Sequence, residues 1–139
     1  MDNLVAALAQ GVQHYCEATS IENGQAWMLF VCEDDERNLC DQKLIEFKLW
    51  RERGIRSLRK TLGEVVEEAS FDQTTKKLTI DGHEIGLVYY RTGYQADHYM
   101  IDGTQDWDES KWQARQMLEC SLAIKCPSID LHLATFKKY

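Results

Sequence analysis

Two short apolar runs, each ending abruptly in polar residues, constrain this chain more than any other feature. The run Ile85-Gly86-Leu87-Val88-Tyr89-Tyr90 carries no charge and stops at Arg91, with Thr92-Gly93-Tyr94 after it. The run Ala26-Trp27-Met28-Leu29-Phe30-Val31-Cys32 stops at Glu33-Asp34-Asp35-Glu36-Arg37-Asn38. Each is too short for an ordinary helix, and Asn23-Gly24 and Asp81-Gly82 mark turns ahead of them. Both are therefore expected to be strands buried on both faces. Strands of that kind belong to sheets covered by helices, and such sheets bind ligands outside the carboxyl ends of their strands. Arg91 and the polar turn after Cys32 are the first candidates for chemistry.

The remaining segments supply helices to cover those strands. Leu4, Val5, Leu8, Val12 and Tyr15 form one stripe at helical spacing, predicting an N-terminal helix over 2–18 with Asp2 or Asn3 as its cap. A second helix is expected from Leu39 to Arg53, capped by Asn38 and stopped by Gly54. Its apolar residues spread round the wheel, which suggests contact with more than the sheet. Ile55 to Lys60 reads as a short strand, and Thr61-Leu62-Gly63-Glu64 as a capping box opening a helix to Glu68. The alternation from Ser70 to Asp81 predicts a hairpin leading into the run at 85–90. A further helix is expected from Asp106 to Ile124, with Trp107, Ala114, Met117, Leu118 and Leu122 on one face, then a break at Pro127 and a last helix over 129–138. Strands alternating with helical crossovers give a three-layer α/β/α domain with a mostly parallel sheet.

Composition narrows the function classes. A chain of 139 residues, 44% hydrophobic and 28% charged, fits one domain with a real core, and one proline and eight glycines leave no room for a flexible linker. A net charge of −7 weighs against nucleic acid as a partner, since its binding leans on Lys and Arg. The local basic cluster Arg51, Arg53, Arg56, Arg59 and Lys60 reads as a solvated helix end with its following strand. No apolar run approaches the ~20 residues that span a bilayer. The start lacks a secretory signal, so the five cysteines, without a C-x-x-C pair, are expected to be reduced thiols in a cytoplasmic protein. The four histidines have no metal-ligand spacing, and no G-x-G-x-x-G follows the first strand, so neither a metal site nor a dinucleotide site is expected.

Several motifs then agree in order and spacing. Glu36-Arg37-Asn38 with Asp41-Gln42, Arg91-Thr92-Gly93-Tyr94, Trp112-Gln113-Ala114-Arg115, Ala123-Ile124-Lys125-Cys126-Pro127 and Leu133-Ala134-Thr135-Phe136-Lys137-Lys138 together resemble eukaryotic glutathione synthetase. The resemblance runs from about residue 25 to the end of the chain and covers only that enzyme's substrate-binding domain, a pre-ATP-grasp or Rossmann-like fold. It implies a parent ligase that joins γ-glutamylcysteine to glycine in the cytoplasm, using ATP and magnesium, as a homodimer. It also implies that Glu36, Asn38, Gln42, Arg91 and Tyr94, with Thr92 and Gly93 between the last two, hold γ-glutamylcysteine. The residue types suit the ligand: arginine offers a planar fork to a carboxylate, Glu36 can accept from an ammonium, and the amides and tyrosine supply donors and acceptors.

Lys137 matches a lysine that contacts ATP in the family, although A-T-F-K-K stands here where the family has A-G-T-K-K. The family's glycine-rich ATP loop, magnesium-binding acids and lid arginines have no counterpart in this sequence. The resemblance therefore implies one substrate-binding domain over 1–139 without the ATP-grasp portion, with no catalytic residue of its own and inactive as a ligase by itself. The competing expectation is a non-catalytic α/β interaction module that meets a protein partner through the helix at 39–53.

Overall fold

The structure is a computed structural model that describes residues 1–135. Lys137 and the end of the last expected helix lie outside the described residues. Helix α1 (Asp2–Thr19) turns Val5, Leu8, Val12, Tyr15 and Cys16 inward, the expected stripe. The expected cap is not made. Met1 occupies the N-cap without a side-chain bond, and Asp2 instead pairs with Lys48 across to the next helix. Strand β1 (Trp27–Val31) leads to helix α2 (Leu39–Arg53), whose backbone closes at the left-handed Gly54. Asn38 stands at the N-cap of α2, but its side chain makes no capping bond.

Strand β2 (Ser57–Lys60) and helix α3 (Leu62–Glu68) come next. The capping box is formed: Thr61 Oγ1 accepts from Glu64 N at 3.2 Å and Glu64 Oε2 accepts from Thr61 N at 2.7 Å. Strands β3 (Ala69–Phe71) and β4 (Leu78–Ile80) make the expected hairpin, and Asp81-Gly82 turns the chain into β5 (His83–Tyr90). After a 3₁₀ turn at Ala96–Tyr99 come helix α4 (Glu109–Cys120), strand β6 (Ile124–Cys126) and helix α5 (Ile129–Thr135).

The stretch read as one helix over 106–124 is shorter than expected. Asp108 is its N-cap, accepting from Ser110 N at 3.0 Å, so Trp107 lies ahead of the helix and is exposed. The helix ends at Cys120, before Pro127 could break it, and Leu122 is exposed in the turn beyond. Residues 124–126 are a strand because β5 offers them a free edge: Leu87, Val88 and Tyr89 pair in parallel with Ile124, Lys125 and Cys126.

Six strands form one sheet in the order β2-β1-β5-β4-β3, with β6 paired to β5. Strand β1 runs parallel to β2 and β5, while β4 is antiparallel to β5 and β3. Strand β5 thus pairs with β1 along one edge, and with β4 and then β6 along the other. Side chains alternate across the sheet into two cores. Met28, Phe30, Cys32, Leu87 and Tyr89 meet α1 and α2 on one face. Leu29, Val31, Val88 and Tyr90 meet α3 and α4 on the other. This is the expected three-layer α/β/α arrangement with a mostly parallel sheet.

A bulge at Gly86 sets the alternation of β5. Trp27 pairs with Ile85 and Met28 with Leu87, so Gly86 is the extra residue. Ile85 consequently joins the α3/α4 core while Leu87 joins the α1/α2 core. The glycine is required by space: a Cβ there would lie 2.9 Å from both Ala26 Cβ and Tyr15 Cδ1.

Candidate functional site

The parallel strands β1, β2 and β5 all point their carboxyl ends the same way, and both polar turns leave from that edge. The hydrogen bond from Arg91 N to Val31 O, at 2.7 Å, fastens the two exits side by side. Beyond it the chain diverges. Tyr89 and Tyr90 face opposite cores, and beyond them Arg91 lies over the Tyr89 ring while Thr92 and Tyr94 meet His98 and His132.

Arg91, Gln42 and Glu36 gather on the α2 face. The Arg91 guanidinium lies 5.9 Å over the Tyr89 ring, and its Nε is buried with no hydrogen-bond partner. Gln42, in the first turn of α2, is 1% exposed. Its Oε1 accepts from Arg59 Nη2 at 2.7 Å and from Cys32 Sγ at 3.5 Å, while its Nε2 is buried and faces the Glu36 carboxylate without closing a hydrogen bond. Glu36 is half-buried, and its Oε1 accepts from Asn38 N at 2.8 Å. Burial pushes the Glu36 carboxyl up. The nearby Gln42 amide, the Asn38 N–H and the charges of Arg91 and Arg59 outweigh that and hold it below the usual carboxylate range. Burial acts against the charge on Arg91 too, but the nearby Tyr94, Tyr89 and Glu36 raise it on balance. The group is thus one carboxylate beside one guanidinium, with two buried donors left over. Asn38 contributes its backbone N–H, and its residue is exposed. Asp34 and Asp35 are exposed.

Thr92, Gly93 and Tyr94 turn toward the other face. Thr92 is 3% exposed, and its hydroxyl bonds to His98 Nδ1 at 3.0 Å. Gly93 N donates to the same nitrogen at 2.8 Å. Because Nδ1 accepts a backbone N–H, a neutral His98 carries its proton on Nε2, which faces Glu33 Oε1 at 3.4 Å. Gly93 has φ 82°, and a Cβ there would lie 2.7 Å from Tyr99 Oη, so the turn needs glycine twice over. The Tyr94 hydroxyl donates to Tyr90 O at 2.5 Å, and its ring meets His132 edge-on at 5.0 Å. Burial pushes the Tyr94 phenol up to about 12, against the pull of Arg91. Gly93 and Tyr94 line an apolar cavity of about 220 Å³ with Tyr99, Trp107, Trp112 and Arg115. A larger cavity of about 570 Å³ is lined by Cys32, Glu33, Thr61, Thr92 and His98, and by none of Glu36, Gln42 or Arg91.

Two residues that organise this edge carried no signal of their own in the sequence. His98 was one scattered histidine, and its partners are separated from it by a turn. Arg59 stood inside a basic cluster read as solvated. It is instead mostly buried, paired with Glu46 at 2.8 Å and lying 5.7 Å over the Phe30 ring. Among the described residues no group of three or more His, Cys, Asp or Glu side chains could hold a metal ion.

Fold and geometry define an α/β domain that presents charged side chains at the carboxyl ends of parallel strands. The sequence profile of eukaryotic glutathione synthase matches residues 26–134. The chain belongs to the eukaryotic glutathione synthase family. It is 40% identical to the glutathione synthetase of Dictyostelium discoideum over 112 residues, which is 80% of this chain and 22% of that protein. It is 36% identical to the Homo sapiens enzyme over 137 residues, which is 99% of this chain and 26% of that protein. The chain therefore spans about a quarter of the length of the curated relatives it matches. Among solved structures, a glutathione synthetase-like effector from Globodera pallida in its apo form shares the fold. The TM-score is 0.62 and the identity 17%, covering 88% of this chain and 25% of that one.

Proposed function

We propose that this chain is a single substrate-binding domain of a glutathione synthetase, and that its strand edge holds γ-glutamylcysteine. The observation that carries the reading is the pair of buried donors, Gln42 Nε2 and Arg91 Nε, left without partners beside the Glu36 carboxylate. A buried unsatisfied donor costs about 1–3 kcal/mol, a cost that a ligand acceptor removes. An α-amino-acid end carries an ammonium and a carboxylate on one carbon. Glu36 accepts from the ammonium, while Arg91 and Gln42 donate to the carboxylate. The Tyr94 phenol donates its proton to Tyr90 O and keeps an oxygen lone pair free to accept from the ligand, and Thr92 and Gly93 hold the turn that places it.

In this reading the domain binds and orients, and has no acid–base work to do. ATP, when bound by the parent enzyme with magnesium, would activate the cysteinyl carboxylate for attack by glycine. Those groups belong to the ATP-grasp portion of the parent, where Lys137 of this chain would reach the nucleotide, and the parent pairs as a homodimer. The chain alone is then incomplete as a ligase. Its five free cysteines suit a reducing compartment such as the cytoplasm.

A second reading rests on α2, whose Phe47 and Trp50 are 48% and 59% exposed. That face would meet protein, either the remainder of a synthetase or a separate partner. Calorimetry with γ-glutamylcysteine distinguishes the two. Binding heat in the wild type, with affinity falling about ten- to a hundredfold in Arg91→Ala, supports the substrate site. No heat, or equal affinity in the variant, overturns it in favour of the interaction module.

A further inference from the structure

Gln42 is an amide, so either end of its side chain could in principle face the binding edge. Its surroundings leave one choice. Arg59 has only donors, and its Nη2 lies 2.7 Å from the amide, so the oxygen must face it. Cys32 Sγ approaches the same oxygen at 3.5 Å. Arg59 is itself held from three sides. Its Nη1 pairs with Glu46 Oε1 at 2.8 Å, and the guanidinium carbon lies 5.7 Å over the Phe30 ring. The other Glu46 oxygen accepts from Ser57 Oγ at 3.2 Å and Lys43 Nζ at 3.1 Å. Helix α2 and strand β2 together thus build a clamp whose two forks grip Glu46 and Gln42. The consequence emerges on the far side of the amide, where the buried Nε2 faces the Glu36 carboxylate without closing a hydrogen bond to it.

We infer that Arg59 is a positioning residue for the binding edge: it locks Gln42 so that the site presents an obligate donor there and takes only a ligand group that can accept. This extends the substrate-site reading and rests on it for the identity of the ligand. Arg59 does not touch the ligand. Its guanidinium acts by fixing one atom of a neighbour, which a lysine could not do while also holding Glu46, because an ammonium lacks the rigid fork. A site built around a fixed donor discriminates strongly against a group with no acceptor, because the donor is then left buried and unpaired.

The test combines two measurements. Calorimetric titration with γ-glutamylcysteine is run on wild type, Arg59→Lys, Gln42→Ala and the double variant. The expected result is about a tenfold loss for Arg59→Lys in the wild-type background and less than about a twofold further change when Gln42 is already Ala. An unchanged affinity in Arg59→Lys, or the same loss in both backgrounds, overturns the proposal. The second measurement needs no ligand: the Gln42 side-chain NH₂ resonances of wild type and Arg59→Lys, with thermal unfolding to verify that both fold. A shift with faster solvent exchange in Arg59→Lys supports the lock, and unchanged Gln42 resonances refute it. Absence of binding to the wild type alongside a shifted Gln42 amide refutes only the choice of γ-glutamylcysteine.

Discussion

Replacing Gly86 by alanine tests the packing that sets the register of β5. The added Cβ would lie 2.9 Å from Ala26 Cβ, 2.9 Å from Tyr15 Cδ1 and 3.2 Å from Tyr15 Cγ. Ordinary carbon contacts begin near ~3.5 Å, so the methyl overlaps two neighbours. Neither can give way freely. Ala26 is fully buried and its Cβ is fixed to the backbone. The Tyr15 ring is tethered by its hydroxyl, which donates to Glu84 Oε1 at 2.7 Å, and Glu84 is held in turn by Lys77 at 2.9 Å. Removing a glycine favours the folded state by about 0.4–1 kcal/mol through the unfolded chain. Overpacking costs about 1–3 kcal/mol, so a net loss of about 1–2 kcal/mol is expected. For a domain of this size that lowers Tm by about 3–6 °C. Urea unfolding followed by circular dichroism gives the same quantity as a lower midpoint with unchanged slope. In a Tyr15→Phe background the ring loses its tether and can pivot, so the cost of the alanine should shrink. A variant as stable as wild type, or an equal loss in both backgrounds, would mean that neither the bulge nor the tethered ring demands glycine at this position.

Two further outcomes derive from the same contacts. The Glu36 carboxyl is held below its ordinary value of 4.5 in the folded state, so its stabilising contribution is fully present above that pH and is lost as the pH falls through the folded value. The urea midpoint of wild type relative to Glu36→Gln should therefore narrow steadily as the pH drops below 4.5, and a difference independent of pH would contradict the assignment. Thr61→Ala removes one half of the capping box on α3 and should cost about 1 kcal/mol in urea unfolding, whereas Thr74→Ala should change little. Equal effects of the two would mean that the box does not hold α3.

The parts of this fold that were legible in the sequence are those fixed by local chemistry. Helix α2 runs from Leu39 to Arg53 as read, because Gly54 supplies the left-handed residue that ends it. Thr61 and Glu64 announce α3 because a capping box uses only side chains and backbone within three residues. Features fixed by distant partners were hidden. Residues 124–126 read as the end of a helix, since only the free edge of β5 makes them a strand. Trp107 matched the helical stripe by spacing, but Asp108 caps the helix one residue later. The apolar spread round α2 was legible, and the structure leaves Leu44, Phe47 and Trp50 exposed on it.

The site was legible in the same uneven way. Strand ends place Arg91 and Glu36 near one another, which a pattern of apolar runs can anticipate. Which face each side chain takes depends on the bulge at Gly86 and on the partners of the turn. Arg91 therefore sits with Gln42 and Glu36, while Thr92 is occupied by His98 and Tyr94 reaches back to Tyr90. Arg59 was invisible because its role is defined by Glu46 and Gln42, 13 and 17 residues away.

Whether the dipeptide occupies the strand edge is decided by a residue-resolved NMR titration with γ-glutamylcysteine. Binding at that edge predicts saturable shifts at the Gln42 side-chain amide, the Arg91 Nε–H and the backbone of Glu36 and Gly93, with Phe47 and Trp50 on α2 unmoved. Saturable shifts confined to the exposed face of α2, or no shift at Gln42 and Arg91 under saturating ligand, would contradict it.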